Sequence, residues 1–251
     1  MSGRAPFLSI IVPVLNEAGL LGPFLERLGR LGGDIEIIVV DGGSSDGSRA
    51  IAEAGADRVI ATRRGRALQM NAGAAIARGD ALWFLHADLD GPADAVARIR
   101  GALADHRVAG GCFRLRYPRE ERIYRVSDSL GNIGVDVFGF ALGDHGIFCR
   151  RDAFAAAEGY PLVPILEDAE LCRRLRRVGT LVQLPAAIVS SPRTFEEHGR
   201  YRTTAWYFAI LVLYVAGVPI ARLHQIYRRF HHSVVAAGVP AAGRWRISRP
   251  S

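Results

Sequence analysis

The chain contains no lysine. Its 251 residues carry 32 basic side chains, all of them arginine, against 25 acidic ones, for a net charge of +7. A basic set made only of arginine suits anionic ligands whose oxygens match a guanidinium fork: phosphates, anionic lipid surfaces or nucleic acid. It comes without a recognition helix, a zinc-finger spacing or a basic-aromatic RNA motif, so no nucleic-acid partner is expected. Cysteine is scarce. Cys112, Cys149 and Cys172 are odd in number, far apart and without a C-x-x-C pair, which reads as reduced thiols in a cytoplasmic protein. A signal-peptide pattern is also missing, because the apolar run at residues 7–12 is short, broken by Pro13 and followed by Asn16 and Glu17. The one long uncharged run covers residues 203–221, whose 19 residues would nearly match a bilayer core as a helix. Gly217 and Pro219 interrupt it, and Tyr207 and Tyr214 stand within it. The expectation is therefore a helix packed on the domain, in a homodimer contact or peripherally on a membrane at its inner face, in preference to a span.

Nearly half the residues are hydrophobic, enough for a sizeable core. The first half alternates strand and helix four times. Strands are expected at residues 7–12, 35–40, 57–61 and 81–85, and helices at 19–31, 48–54 and 66–77, with a further helix after Pro92 to about 104. Such alternation predicts a mostly parallel sheet covered by helices, with ligands gathered at the carboxyl ends of the strands. Each of those ends is polar: Asn16 and Glu17, then Asp41 with Ser44 and Ser45, then Arg63 to Arg66, then His86 with Asp88. Some of these acidic residues are read as helix caps, Asp46 and Asp90 among them, but four polar loops converging on one crevice point to a shared ligand site. If the chain stays extended past residue 85, then His86, Asp88 and Asp90 point to one side, as ligands of a divalent cation would.

The second half is looser. A strand is expected at residues 108–117 and a polar helix at 120–132. Residues 138–149 read as a strand approach to a glycine-flanked Asp144-His145 pair, and residues 180–184 and 187–190 as two short strands. Between them, Leu171, Leu175 and Val178 fall at helical spacing, which sets Asp168 on the buried side of a first turn, as a candidate general base. Residues 1–230 are read as a single domain, in which 1–107 and 108–202 are two halves and 203–230 form apolar and basic C-terminal helices. Residues 231–251 are read as a tail, poorly ordered after Gly238.

The runs S-I-I-V-P-V-L-N-E, I-I-V-V-D-G-G-S-S-D-G-S and F-L-H-A-D, with the later E-D pair, resemble in type and order the motifs of glycosyltransferase family two. G-R-A-L-Q-M-N-A-G and G-D-H-G-I-F-C-R-R are similar to a bacterial subfamily found beside radical-SAM and selenium-related genes. The resemblance implies the GT-A fold, a Rossmann-like sheet flanked by helices, with residues 1–107 binding the nucleotide sugar and 108–202 the acceptor, and an inverting transfer from a nucleotide-diphosphate sugar, a UDP-sugar, to an unidentified acceptor. It implies that Pro13 and Glu17 border the nucleotide, with Asn16, Ser44 and Ala87 in the same motifs, and that Asp41 bonds the base. Arg66 and Asn71 would lie near the ribose and diphosphate, Asp88 would hold Mn²⁺ or Mg²⁺, and Asp168 would take the acceptor's proton. The sequence departs from the family's D-x-D at His86, which leaves three roles open: metal ligand, water-orienting group, or neither. Asp144, His145, Glu167, Arg193 and Arg202 are candidates for the acceptor or diphosphate, and for His145 a hydrogen-bonding core role is the alternative. The competing readings are a sugar-phosphate nucleotidyltransferase, which would need a glycine-rich loop after the first strand, and a non-catalytic nucleotide-sugar-binding protein.

Overall fold

The computed structural model describes residues 6–235, with side chains to Arg228, so Arg229 and the tail expected after Gly238 lie outside the described side chains and residues. The first half alternates β1 (Leu8–Val14), α1 (Ala18–Gly29), β2 (Ile35–Asp41), α2 (Ser48–Gly55), β3 (Arg58–Ala61), α3 (Arg66–Ile76) and β4 (Ala81–Phe84). A short β5 (Leu89–Asp90), α4 (Ala95–Ala102), β6 (Val108–Arg116) and α5 (Arg122–Ile133) follow. Then come β7 (Phe148–Arg150), α6 (Arg151–Ala156), α7 (Glu167–Leu175), β8 (Thr180–Ser190), α8 (Arg193–His198), α9 (Arg200–Val215) and α10 (Ile220–Val235).

The strands form one eight-stranded sheet in the order β3-β2-β1-β4-β7-β6-β8-β5. Neighbours among β3, β2, β1 and β4 are parallel, as the alternation predicts, whereas β7 runs antiparallel to both β4 and β6. The central strands are covered on both faces, so their residues divide by parity. Ile10, Val12 and Trp83 pack with Leu21 and Phe24 of α1 and Ile99 of α4, while Ile11, Leu82 and Phe84 pack with Met70 of α3, Phe154 of α6 and Leu171 and Leu175 of α7. Gly111 of β6 is required where it stands, because a Cβ there would collide with the Val182 carbonyl of β8.

Four expectations change. The backbone does not stay extended after β4: it turns at Ala87 and Asp88, with Leu89 N–H donating to the His86 carbonyl (3.1 Å). Asp90 consequently sits on the edge strand and pairs with Arg27 at 3.3 Å, so it shares no ligand face with Asp88. Residues 138–149 hold only the short strand β7; Gly139 and Gly146 take positive φ, and the stretch between carries a single 3₁₀ turn, Gly143–His145. Residues 180–190 make one strand, whose register against β6 slips between Leu184 and Ala187, so that Pro185, which lacks an N–H, falls in a bulge. Val178 lies past the end of α7 and is exposed, leaving Leu171 and Leu175 as its core contacts.

The uncharged run at 203–221 folds as α9 and the start of α10, broken at residues 216–219. Thr203, Thr204 and Ile210 are buried against the body, Ser127 Oγ of α5 and Thr204 Oγ1 share a hydrogen bond (2.9 Å), and the Tyr214 hydroxyl donates to Glu170 Oε1 (2.7 Å). Among the described residues no helix is long and apolar enough to cross a membrane. Helix α10 continues through residue 230, where the tail was expected to begin.

Candidate active site

The loops after β1 and β2 are stitched into one unit. The N–H groups of Asn16, Glu17 and Ala18, which lead into α1, have no intrahelical partners. Here they are met from 28 to 31 residues away: Asn16 N–H by Ser44 Oγ (2.9 Å), Glu17 N–H by Ser48 Oγ (2.9 Å) and Ala18 N–H by Asp46 Oδ2 (3.0 Å). In return Asn16 Oδ1 accepts from Ser45 N–H (2.9 Å), and Asp46 Oδ1 accepts from the Ser48 hydroxyl (2.6 Å). Asp41 is buried at the end of β2 and accepts the Ser44 N–H on both oxygens, at 3.0 and 3.2 Å. Gln69 of α3, within the run G-R-A-L-Q-M-N-A-G, donates to carbonyls near the ends of both strands, Val14 at 2.9 Å and Val40 at 2.8 Å. Pro13 falls where β1 has outrun β4, so its missing N–H costs that ladder nothing. Asn16 and Ser44, expected at the nucleotide, are thus also structural groups.

Asn71 likewise holds backbone. Its Nδ2 donates to the Tyr160 carbonyl (2.8 Å) and its Oδ1 accepts the Tyr160 N–H (2.9 Å), so both ends of the amide are taken. The clamp fixes Tyr160, which is also packed edge-on against Phe84 at 5.0 Å.

Asp88 lies in the turn after β4, beside buried Ala87, and its carbonyl accepts the Ser191 N–H (3.2 Å). Burial pushes its carboxyl up; of the charges around it Arg193 and Arg66 favour ionisation and Glu17 opposes it. Arg193, at the start of α8, crosses the crevice to Glu17 and donates to both its oxygens, at 3.1 and 3.3 Å. His86 looks elsewhere. A side chain at residue 143 would lie 2.6 Å from His86 Nε2 and 2.8 Å from Asp168 Oδ2, so Gly143 leaves the space in which these two groups approach each other. Burial, then the Arg66 charge, lowers the His86 pKa to about 3, against the pull of Asp144, so its ring is neutral.

Glu167 and Asp168 open α7. Leu166 before them is held at φ 61°, a left-handed conformation that a leucine adopts only when the surroundings impose it. Both carboxylates are buried as a result. Burial pushes the Asp168 carboxyl up to about 7, the adjacent Glu167 and the nearby Asp144 add to this, and Arg66 and the Tyr160 hydroxyl oppose it. Asp168 Oδ1 and the Tyr160 oxygen are buried without a hydrogen bond, two of the few such atoms among the described residues. Arg66 is 4.0 Å from Glu167, and Tyr227 of α10 acts on the same arginine.

Asp144 accepts from the Tyr117 hydroxyl (3.3 Å) and pairs with His145 Nδ1 (3.2 Å). Burial alone would raise its pKa, but His145, Tyr117 and His86 outweigh burial and hold it below the usual range. His145 is itself buried, with Nε2 unpartnered. Tyr207 of α9 lies in the field of Asp144 and Arg66. The structure therefore gathers Arg66, His86, Asp88, Asp144, Glu167 and Asp168, and ties Glu17 to them through Arg193. Arg202 is exposed on the first turn of α9, and Arg200 is engaged by Glu121 (2.9 Å). Tyr160 and Tyr207 are the site residues that sequence reasoning missed; only the tyrosines within an otherwise apolar run marked the second. A cavity of about 680 Å³ lies elsewhere, lined by Cys112, Cys172, Arg176 and Thr180, and contains none of the predicted site residues.

Among the described residues no group of three or more His, Cys, Asp or Glu side chains could cage a metal ion. Asp88, half-buried in the turn after β4, is a carboxylate of the kind that a hard divalent cation takes as a ligand.

A family model for Glycosyl transferase family 2 matches residues 9–156. An undecaprenyl-phosphate 4-deoxy-4-formamido-L-arabinose transferase of Pseudomonas fluorescens is 32% identical over 185 residues, covering 65% of this chain and 54% of the relative. A PGL/p-HBAD biosynthesis glycosyltransferase of Mycobacterium bovis is 39% identical over 112 residues, covering 41% of this chain and 43% of the relative. The chain spans about half the length of the curated relatives it matches. Among solved structures, a mannosyltransferase from Pyrobaculum calidifontis in complex with GDP-Man and Mn²⁺ superposes with a TM-score of 0.65 at 18% identity, over 95% of this chain and 77% of that one. Glucosyl-3-phosphoglycerate synthase from Mycobacterium tuberculosis, in complex with Mn²⁺, UDP and glucosyl-3-phosphoglycerate, gives 0.59 at 21% identity, over 86% and 81%. These likenesses show the GT-A glycosyltransferase fold, and the family match covers more than half of the chain: it belongs to glycosyl transferase family 2.

Proposed function

We propose that the chain transfers a sugar from a nucleotide-diphosphate donor, a UDP-sugar, to an acceptor hydroxyl with inversion at the anomeric carbon. The observation that carries this reading is Asp168: a buried carboxylate whose pKa stands near 7, at the mouth of the crevice, with an unpartnered oxygen. Such a group accepts a proton at neutral pH far more readily than an exposed aspartate does. Asp168 removes the acceptor's proton as the acceptor oxygen attacks, and the nucleoside diphosphate leaves from the opposite face. Arg66 balances charge on the diphosphate. Neutral His86, beside Asp168 Oδ2, keeps a nitrogen available for a hydrogen bond near the reacting oxygen.

Asp88 would hold the Mn²⁺ or Mg²⁺ ion, which when bound would neutralise charge growing on the diphosphate. Titration of the full chain with UDP, in the presence and absence of Mn²⁺, tests the donor and metal assignments together. Metal-dependent binding is expected, and Asp88→Ala should abolish it. Equal affinity with and without Mn²⁺ would overturn the metal assignment.

A further inference from the structure

The chain is basic, but the groups around Asp168 are not. The principal charges acting on that carboxylate are Glu167 and Asp144, which repel, and a single guanidinium, Arg66, which attracts. Arg66 also stands in the field of Asp88, on the donor side of the crevice. Several arginines of the second half are already engaged. Arg193 is forked onto Glu17, Arg200 is bonded to Glu121, Arg173 is bonded twice to Glu170 Oε2, and Arg176 donates to the Phe138 carbonyl. Recognition of a phosphate or carboxylate depends on guanidinium forks aimed at its oxygens.

What faces Asp168 instead is a set of acceptors and neutral rings. Asp144 is a carboxylate bonded by the Tyr117 hydroxyl and paired with His145, Glu167 is a buried carboxylate next to Asp168, and His86 Nε2 borders the space that Gly143 leaves against Asp168. Tyr117, Tyr160 and Tyr207 surround them, each kept protonated. An ionised carboxylate only accepts hydrogen bonds, so the ligand groups it can satisfy are donors. A phosphate dianion or a carboxylate offers none, and against Asp144 and Glu167 both sides would lose their water without gaining a bond. A hydroxyl donates to the carboxylate and can in turn accept from a tyrosine.

We infer that the acceptor is an uncharged polyhydroxy compound, carrying neither phosphate nor carboxylate where it enters beside Asp144, Glu167 and Asp168. This rests on the reading of the crevice as a glycosyl-transfer site. It separates this chain from the relative named for undecaprenyl phosphate and from the fold relative solved with glucosyl-3-phosphoglycerate.

The test uses the full chain loaded with UDP and Mn²⁺, so that the donor-side cation is occupied. Inorganic phosphate at millimolar concentration, against chloride at equal ionic strength, should then give no further rise in melting temperature. With UDP-glucose as donor, glycerol should stimulate UDP release about tenfold more than glycerol 3-phosphate, as expected where like charges oppose entry. In Asp144→Asn combined with Glu167→Gln, phosphate should become a stabilising ligand of the UDP-loaded protein. Stabilisation of the UDP-loaded wild type by phosphate, or faster UDP release with glycerol 3-phosphate than with glycerol, would overturn the inference and leave the donor reading standing. Failure of UDP and GDP to stabilise the chain, with or without Mn²⁺, would overturn the donor reading and take the inference with it. If the double variant does not fold, the wild-type comparison still decides.

Discussion

The two halves of the crevice treat their polar groups in opposite ways. On the side of β1 and β2, the three successive N–H groups of Asn16 to Ala18, leading into α1, each have a partner from the neighbouring loop, and Gln69 closes carbonyls near the strand ends. On the side of α7, Asp168 Oδ1, the Tyr160 oxygen and His145 Nε2 are buried without partners, and Leu166 holds a strained backbone. A buried polar atom left unpaired costs about 1–3 kcal/mol. A fold tolerates several within one cluster when a ligand supplies what is missing, so the satisfied side reads as a platform and the unsatisfied side as the place of chemistry.

The largest expected effect tests the unsatisfied side. Asp168→Asn keeps the shape and removes the base, so transfer should fall by about 10²–10⁴-fold while UDP affinity stays within a few-fold. Loss of UDP binding together with transfer would make Asp168 a donor-site residue and erase the contrast.

The pH dependence sharpens the same point. Because the folded pKa of Asp168 is raised to about 7, the base form is lost as pH falls below that value, and kcat/KM should drop tenfold per pH unit there. Stability responds with the opposite sense to that of an ordinary paired carboxylate. Between the unfolded pKa near 4 and the folded value near 7, the native state binds more protons than the unfolded one, so stability from this group declines as pH rises through that window. Asp168→Asn should therefore melt higher than wild type by a margin that widens from pH 4 to pH 7 and then levels off. A margin independent of pH would mean that Asp168 ionises normally in the fold.

The alternation of strands and helices up to β4 was legible because each strand is a short apolar run bounded by glycine or charge, and the sheet demands that pattern on both faces. The strand ends were legible for the same reason, and Arg66 stands in the field of both Asp88 and Asp168. What stayed hidden depends on distant partners. The Asn71 side chain closes on the Tyr160 backbone 89 residues away, a contact no local spacing records. The turn at Ala87 and Asp88 defeats the alternate-position argument for His86 and Asp90, because a period of two holds only while the chain stays extended. The stretch before β7 reads as a strand by its apolar residues, and its glycines decide otherwise by taking positive φ.

The smallest effect belongs to the platform. Ser48 Oγ is fully buried, accepts the Glu17 N–H and donates to Asp46, so Ser48→Ala removes a cap supplied from another element. A lost capping hydroxyl costs about 1 kcal/mol, and the orphaned Glu17 N–H at the helix start keeps the change near that size. Urea unfolding should show a lower midpoint at unchanged m-value, with UDP affinity in Mn²⁺ unaltered at temperatures where the variant is folded. If UDP affinity falls while the midpoint holds, the serine is a ligand contact, and the loop stitch belongs with the chemistry after all.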